Sequence, residues 1–353
     1  MTDRRRGERG VALLLVLWVF MVLGVIALDF ARYMRDDAMA AINLADESRG
    51  YYIALAGMNR ALFDAERLRE VTMAAATSAG RQVGADEGLE EDAPLVPPDG
   101  QWHEGEFAGG RWAVRVTDEC GRISLNKVDE VTLKEVITNL VLGGNRSEGI
   151  DRRMEIQLDT VVDSIIDWRD VDDLKGARGA ETEYYMNRRV PHPAKNGYFD
   201  TPEELLKVRG VTPELFYGNG DCAPGLRDVF SVYCRKKSVN LHTAPAAVFQ
   251  VLLGVDCDGA RELVTQRDAG GPLPIVQQGG QGSSSPFSED PPKVVLIEAR
   301  GDLTEERNQS RVAAVVQLES DVAEGVRVLR WFDRAPWAGG LPRHDAGVAE
   351  APS

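Results

Sequence analysis

Asp167, Asp170, Asp172, Asp173, Glu181 and Glu183 crowd one short stretch of the chain. Oxygen-rich clusters of this kind suit calcium, a hard cation that takes six to eight oxygen ligands. Counted from Asp170, acids fall at loop positions one, three and twelve (Asp170, Asp172, Glu181). Position five is Leu174 and position six is Lys175, so the stretch is not an EF-hand, which needs Gly at the sixth place. A looser calcium loop fits the residue types. So does a solvated acidic turn partly paired with Arg169, Lys175 and Arg178, and on composition alone that turn is the simpler reading. Mutual repulsion would disfavour the folded loop without a cation.

Other chemistry has less support. His103, His192, His242 and His344 lack zinc-ligand spacing, and no nucleophile elbow, P-loop or HExxH motif occurs. Spacing does not exclude acidic pairs for glycoside chemistry, but nothing marks a cleft. The chain reads as a non-enzyme without a small-molecule substrate. Gly218 to Ala223 mimics half of a dinucleotide fingerprint, without the strand before it or the helix directly after. Leu206–Val211 and Val251–Val255 look like helix-hairpin-helix turns, yet Glu203, Glu204, Glu214, Asp256 and Asp258 flank them and would repel phosphate. With a formal net charge of −15, the chain is a poor nucleic-acid binder. Cys120, Cys222, Cys234 and Cys257 are compatible with an oxidising compartment. Cys222 and Cys234 close a short loop and are the expected disulfide; free buried thiols are the alternative, and spacing does not fix connectivity.

The elements that must hold these residues begin with the N-terminus. Met1 to Gly10 is a short Arg-rich leader, and an uncharged run follows from Val11 to Leu28. About 18 apolar residues suffice to cross a bilayer. Basic residues beside such a span stay cytoplasmic, which puts the bulk of the chain on the far side of the membrane as a single-pass protein; with the resemblances given below, that implies anchoring in the inner membrane and a periplasmic bulk. A leader that ends in Gly directly before the apolar segment resembles the type IV prepilin signal. That class implies cutting by a prepilin peptidase between Gly10 and Val11, with the apolar helix retained and the new Val11 amine open to methylation. Beyond Leu28, Phe30, Met34, Ala38, Ala41, Ala45, Ser48, Tyr52, Leu55 and Leu62 recur at helical spacing. Val11 to about Ala65 then forms one helix roughly 80 Å long, half in lipid and half on a globular domain.

Downstream, Ala74 to Gly100 reads as a loop, and Phe107 to Val116 as a hairpin with a Gly-Gly turn. Asp118 to Leu125 suggests another strand. Helical patterns run over Leu133–Leu142, Leu158–Trp168, Pro202–Lys207, Ala244–Leu253 and Ala260–Gln266. Residues 269–292 are Gly/Ser/Pro/Gln-rich. Val294–Arg300, Arg311–Glu319 and Val326–Phe332 read as closing strands. The expected fold class is α+β: a pilin-like long N-terminal helix packed on a small antiparallel sheet, with a large all-helical insertion domain. The boundaries are leader 1–10, membrane and pilin helix 11–65, first pseudopilin part 66–125, helical insertion 126–268, linker 269–292, closing strands 293–334 and tail 335–353.

Several segments resemble the K-type minor pseudopilins of type II secretion systems. They are Val162–Asp173 with Gly179–Glu181 and Tyr184–Tyr185, then Asp200–Leu215, and Ser238–Pro245. His242 and the Gly/Ser-rich 269–292 segment depart from the pattern. The resemblance implies a structural calcium ion on Asp170, Asp172, Asp173 and Glu181; Asp167 either joins them or caps a helix end. It implies partners of the I and J types in a tip complex that starts and caps a pseudopilus for export of folded proteins. Most pilin-like chains carry Glu at the fifth mature residue, where this chain has Leu15. A carboxylate inside a bilayer costs on the order of 2.5–3.5 kcal/mol, whereas Leu is favourable by a few tenths. A subunit without a neighbour above it has no use for that carboxylate, so Leu15 fits the tip; the plain reading is one more lipid-facing residue. Two other functions compete: a minor pilin of a type IV pilus or DNA-uptake machine, and a membrane-anchored periplasmic enzyme.

Overall fold

The computed structural model describes residues 8–77, 95–143, 149–220, 222–271, 273, 285–303, 310–318 and 325–333. The leader residues 1–7, most of the expected linkers and the 335–353 tail lie outside them. Helix α1 runs from Glu8 to Thr77 without a break, about 105 Å at the usual rise, and so continues past the expected end at Ala65. Its apolar N-terminal part is wholly exposed and is long and apolar enough to cross a membrane.

The C-terminal part of α1 lies on a five-stranded sheet of order β1-β2-β7-β8-β9, antiparallel throughout. The strands are β1 (Asp99–Phe107), β2 (Gly110–Asp118), β7 (Val294–Asp302), β8 (Ser310–Gln317) and β9 (Arg327–Asp333). The hairpin turn is Ala108-Gly109, both at positive φ, as a two-residue turn needs. It sits one residue before the expected Gly-Gly pair because Gly110 already pairs with Phe107 and leaves room for Ile53 of α1.

The buried stripe of α1 differs from the expected one. Ile53, Ala54, Met58, Ala61 and Ala65 are buried, whereas Phe30, Met34 and Tyr52 are exposed. Small residues win on this face because helix and sheet approach closely. A Cβ at Gly301 would strike the backbone of Gly50 and Ala54, and one at Gly57 would press on Trp112. Val114, Val116, Val295, Ile297, Val312, Ala314 and Val316 complete this core.

Between the adjacent strands β2 and β7 the chain builds a second unit. It holds α2 (Glu130–Leu142), α3 (Arg152–Arg169), α4 (Thr182–Met186), α5 (Pro213–Tyr217), α6 (Leu226–Val229), α7 (Ala246–Leu253) and α8 (Cys257–Asp268). Three-residue-turn helices cover Glu119–Gly121 and Pro202–Lys207. Its core is separate and rich in large side chains, among them Trp168, Tyr185, Phe199, Phe216, Phe230 and Phe249. The unit is not all-helical. β3 (Ile123–Ser124) pairs with β4 (Phe230–Ser231), and β5 (Val239–Asn240) pairs with β6 (Phe287–Ser288), both in parallel. The strand expected over Asp118–Leu125 thus shrinks to β3, because Asp118 turns the chain by accepting from the Cys120 amide. β6 and buried Leu273 come from the stretch expected to be a linker, so this unit extends beyond residue 268.

The disulfides correct the expected Cys222–Cys234 pair. Cys120 bonds Cys234, and Cys222 bonds Cys257. Chain proximity misled: the parallel β3–β4 pairing carries Cys234 back to the neck beside Cys120, a contact between residues 114 apart in sequence. At the same neck, buried Asp118 accepts from Asn240 Nδ2 (2.7 Å) and Thr243 Oγ1 (2.8 Å).

Candidate functional site

The acidic loop leaves α3 at its C-terminus. Asp151 caps the start of this helix by accepting from Met154 N (2.7 Å), and Asp170 ends it, its N–H donating to Ile166 O (3.0 Å). Along α3, Asp159, Asp163 and Asp167 recur at i, i+4 and so share one face. Each holds the loop that follows. Asp159 pairs with Arg178 (2.6 Å) and with Lys134 of α2 (2.7 Å). Asp163 accepts from Arg178 N (2.8 Å), and Asp167 from Gly176 N (3.0 Å). The close fit requires glycine: a Cβ at Gly179 would overlap the Asp167 carboxylate, and one at Gly176 would lie 3.1 Å from its Oδ1. Sequence reading passed over Asp159 and Asp163, although their four-residue spacing with Asp167 was visible.

The five acids expected to bind a cation divide into two kinds. Asp172 and Asp173 are exposed at the rim. Asp172 accepts from Leu174 N (2.8 Å), and Asp173 from Asn196 Nδ2 (2.8 Å). Asp167, Asp170 and Glu181 lie deeper. Asp170 Oδ1 and both carboxylate oxygens of Glu181 are buried without a hydrogen-bond partner. Burial first, then the charges of Asp172 and Asp167, pushes the Asp170 carboxyl up to about 6. Burial first, then Asp167, Asp170 and Asp173, pushes Glu181 up to about 7. Burial also raises Asp167, against the amides of Gly176 and Ala180. Asp170 and Glu181 therefore feel the negative charges of their acidic neighbours. Among the described residues, however, no three His, Cys, Asp or Glu side chains are already gathered as a ligand cage.

The cations expected to neutralise the turn are engaged elsewhere or exposed. The Arg169 guanidinium donates to the carbonyls of Leu125 (2.5 Å) and Val128 (2.6 Å). Arg178 serves Asp159, and Lys175 is exposed. A buried carboxylate without a partner is costly unless a proton or a cation supplies one. The orphaned oxygens of Asp170 and Glu181 thus leave a place for a proton or a hard cation, and a cation would need Asp167, Asp172 or Asp173 to turn towards it as further donors.

Beneath the loop lies an aromatic bed. Trp168 meets Tyr185 edge-on (5.2 Å), and His192 stacks on Tyr185 (5.1 Å). Arg209 donates to Gly179 O (3.0 Å) and lies over the Tyr184 ring (4.7 Å), which ties the loop to the following hairpin. Glu183, also in the acidic stretch, is exposed.

Gly10 and Val11, the expected cleavage pair, lie within α1, and Leu15 is exposed in its apolar part.

Comparison with known proteins points the same way as the residues. Residues 148–217, which span α3, the acidic loop and the hairpin after it, match the family model described as type II secretion system (T2SS), protein K. Over 216 residues the chain is 23% identical to the putative type II secretion system protein K of Escherichia coli (strain K12), covering 59% of this chain and 60% of that protein. The chain thus spans less than two thirds of that curated relative. A solved GspK-GspI-GspJ complex from the type 2 secretion system of enterotoxigenic Escherichia coli aligns with a TM-score of 0.46 and 13% identity, over 79% of this chain and 97% of that one. The family match over 148–217 bears out the protein K resemblance read from the sequence.

Proposed function

We propose that this chain is a minor pseudopilin of a type II secretion system, acting at the tip of the pseudopilus. The observation that carries the reading is a pilin-like helix-on-sheet unit split between β2 and β7 by a domain whose residues 148–217 match protein K. The apolar part of α1 anchors the chain in the inner membrane, with both folded units in the periplasm. A prepilin peptidase cuts between Gly10 and Val11. The freed helix then packs against sister helices of I- and J-type pseudopilins, helped by small residues such as Ala12, Gly24 and Ala27. Leu15 removes the carboxylate that a subunit needs only beneath a neighbour. The inserted unit supplies bulk that blocks further addition, so this subunit starts a fibre and does not extend it.

Calcium, when bound, supplies charge neutralisation to the loop. Asp170 and Glu181 would hold it most directly, with Asp167, Asp172 and Asp173 as neighbours. The role is structural: it fixes the 170–181 loop over the Trp168–Tyr185 bed.

N-terminal sequencing of the mature protein tests the anchor and the leader. Val11 as first residue, with I- and J-type subunits co-purifying, supports the reading. An intact Met1–Gly10, or loss of twitching or DNA uptake on deletion with secretion intact, overturns it. The cation is tested by the melting temperature with calcium and with chelator; identical values remove it.

A further inference from the structure

A groove of about 1310 Å³ separates the inserted unit from strand β9. Trp168 and Phe199 are buried beneath it, Tyr198 is exposed at its mouth, and Leu329 adds an apolar patch from β9. Its charge is opposite to that of the chain. Lys127, Lys195, Lys207, Arg235 and Arg330 line it against Asp200 and Glu204, an excess of three cations in a protein of net charge −15.

Lys195 is engaged with both of those acids, at 2.7 Å and 2.9 Å. Among the described residues, the other four cations have no carboxylate contact of this kind. Lys127 reaches the Tyr198 hydroxyl (2.8 Å) and Arg330 the Asp200 carbonyl (3.3 Å), while Lys207 and Arg235 stand exposed. The field is felt locally: the Tyr198 phenol is held below its ordinary value, chiefly by the Lys127 hydrogen bond and charge, with Arg169 and Arg235 adding to it. Across the His192 and Lys207 edge, a second hollow continues the same sign with Arg188 and Arg189.

The shape and charge restrict the occupant. The volume exceeds the 300–1,000 Å³ typical of small-molecule sites. The cations come from separate segments of the chain, so their contacts would be shared out over a polypeptide more readily than over a single phosphate. A long polyanion such as nucleic acid would meet the repulsion of the whole acidic molecule. A short run of carboxylates in a polypeptide meets only the local field, and its apolar side chains find Leu329 and the aromatic rings. We propose that this groove docks an extended acidic segment of a partner protein. The groove shares Trp168 and His192 with the aromatic bed beneath the acidic loop.

The test uses the full-length protein in neutral detergent with calcium present. The probe is a fluorescent Asp/Glu-rich peptide with interspersed Leu, and anisotropy reports its binding. The expected result is saturable binding that weakens with salt, absent for the same peptide with Lys and Arg in place of the acids. Lys207→Glu with Arg235→Glu, both at exposed positions, weakens it about tenfold, while Arg153→Glu on α3 leaves it unchanged. Circular dichroism confirms that the variants fold. Equal affinity in the double variant, no saturable binding, or displacement of the peptide by an oligonucleotide or by phosphatidylglycerol vesicles overturns the proposal.

Discussion

The two folded units of this chain are held together in different ways. The pilin unit is a regular ladder of antiparallel strands under a helix, with Ala, Val and Gly at the contact. Close backbone approach does the packing, and little side-chain entropy is lost. The inserted unit has short helices joined by long irregular segments, large aromatic side chains in its core, and both disulfides. It also carries Glu181, whose two carboxylate oxygens are both buried without a partner, whereas single unpartnered carboxylate oxygens occur in both units, at Asp170 here and at Asp64 and Asp302 in the pilin unit. The disulfides cross-link a unit whose connections between helices are long, and the orphaned acids mark where a proton or a cation would add to its stability. The unit that contains the match to protein K also carries both disulfides, so its stability should depend on redox conditions.

That contrast can be broken most sharply at the neck. Replacing Cys120 and Cys234 by Ala should destabilise the inserted unit by about 2–5 kcal/mol, given the long loop they close. Denaturant unfolding should then show the inserted unit melting before the sheet; a single unchanged transition would erase the distinction. Next in size is Gly179→Ala. Its new methyl overlaps the Asp167 carboxylate, so a loss of about 1–3 kcal/mol is expected in differential scanning calorimetry, in the inserted unit alone.

Protons sharpen the same contrast. Asp170 and Glu181 have folded-state values raised to about 6 and about 7, from 3.8 and 4.5. Groups raised in this way favour the folded state at low pH, and that stability is lost as pH rises through the folded values. In chelator, the melting temperature of the inserted unit should therefore climb as pH falls from above about 7 towards 4.5. With calcium present the trend should reverse, because protons compete for the ligands. Glu181→Gln should flatten both curves. A calcium-dependent shift that ignores pH over this window would contradict the assignment. The smallest effect belongs to the pilin unit. Arg60→Ala frees buried Asp64 from its 2.8 Å partner, though the Val96 amide remains bound to it. A loss of about 0.5–1.5 kcal/mol, insensitive to calcium, is expected in urea unfolding.

Much of the pilin unit could be read in the sequence, because α1 and the strands obey simple periods. The apolar run, the hairpin and the closing strands each announce themselves locally. The buried face of α1 differs from the expected one, since Gly50 and Ala54 act through closeness to Gly301 and Gly57 through closeness to Trp112, which gives no hydrophobic signal. The acidic loop was legible from composition, but not the division into rim acids and orphaned inner ones. That depends on Gly176 and Gly179 folding the loop onto α3. The disulfides were illegible for a related reason: two-residue parallel pairings leave no trace in the pattern, yet they decide which cysteines meet.

The seam between β2 and β7 joins residues synthesised far apart, Val116 beside Ile297. During synthesis the first hairpin and the rod beneath it are made before the strand that should cover them exists. For that interval part of the Ile53–Ala65 stripe lacks its cover. The central domain must be made before the cradle can close, a pairing of high sequence separation that slows folding.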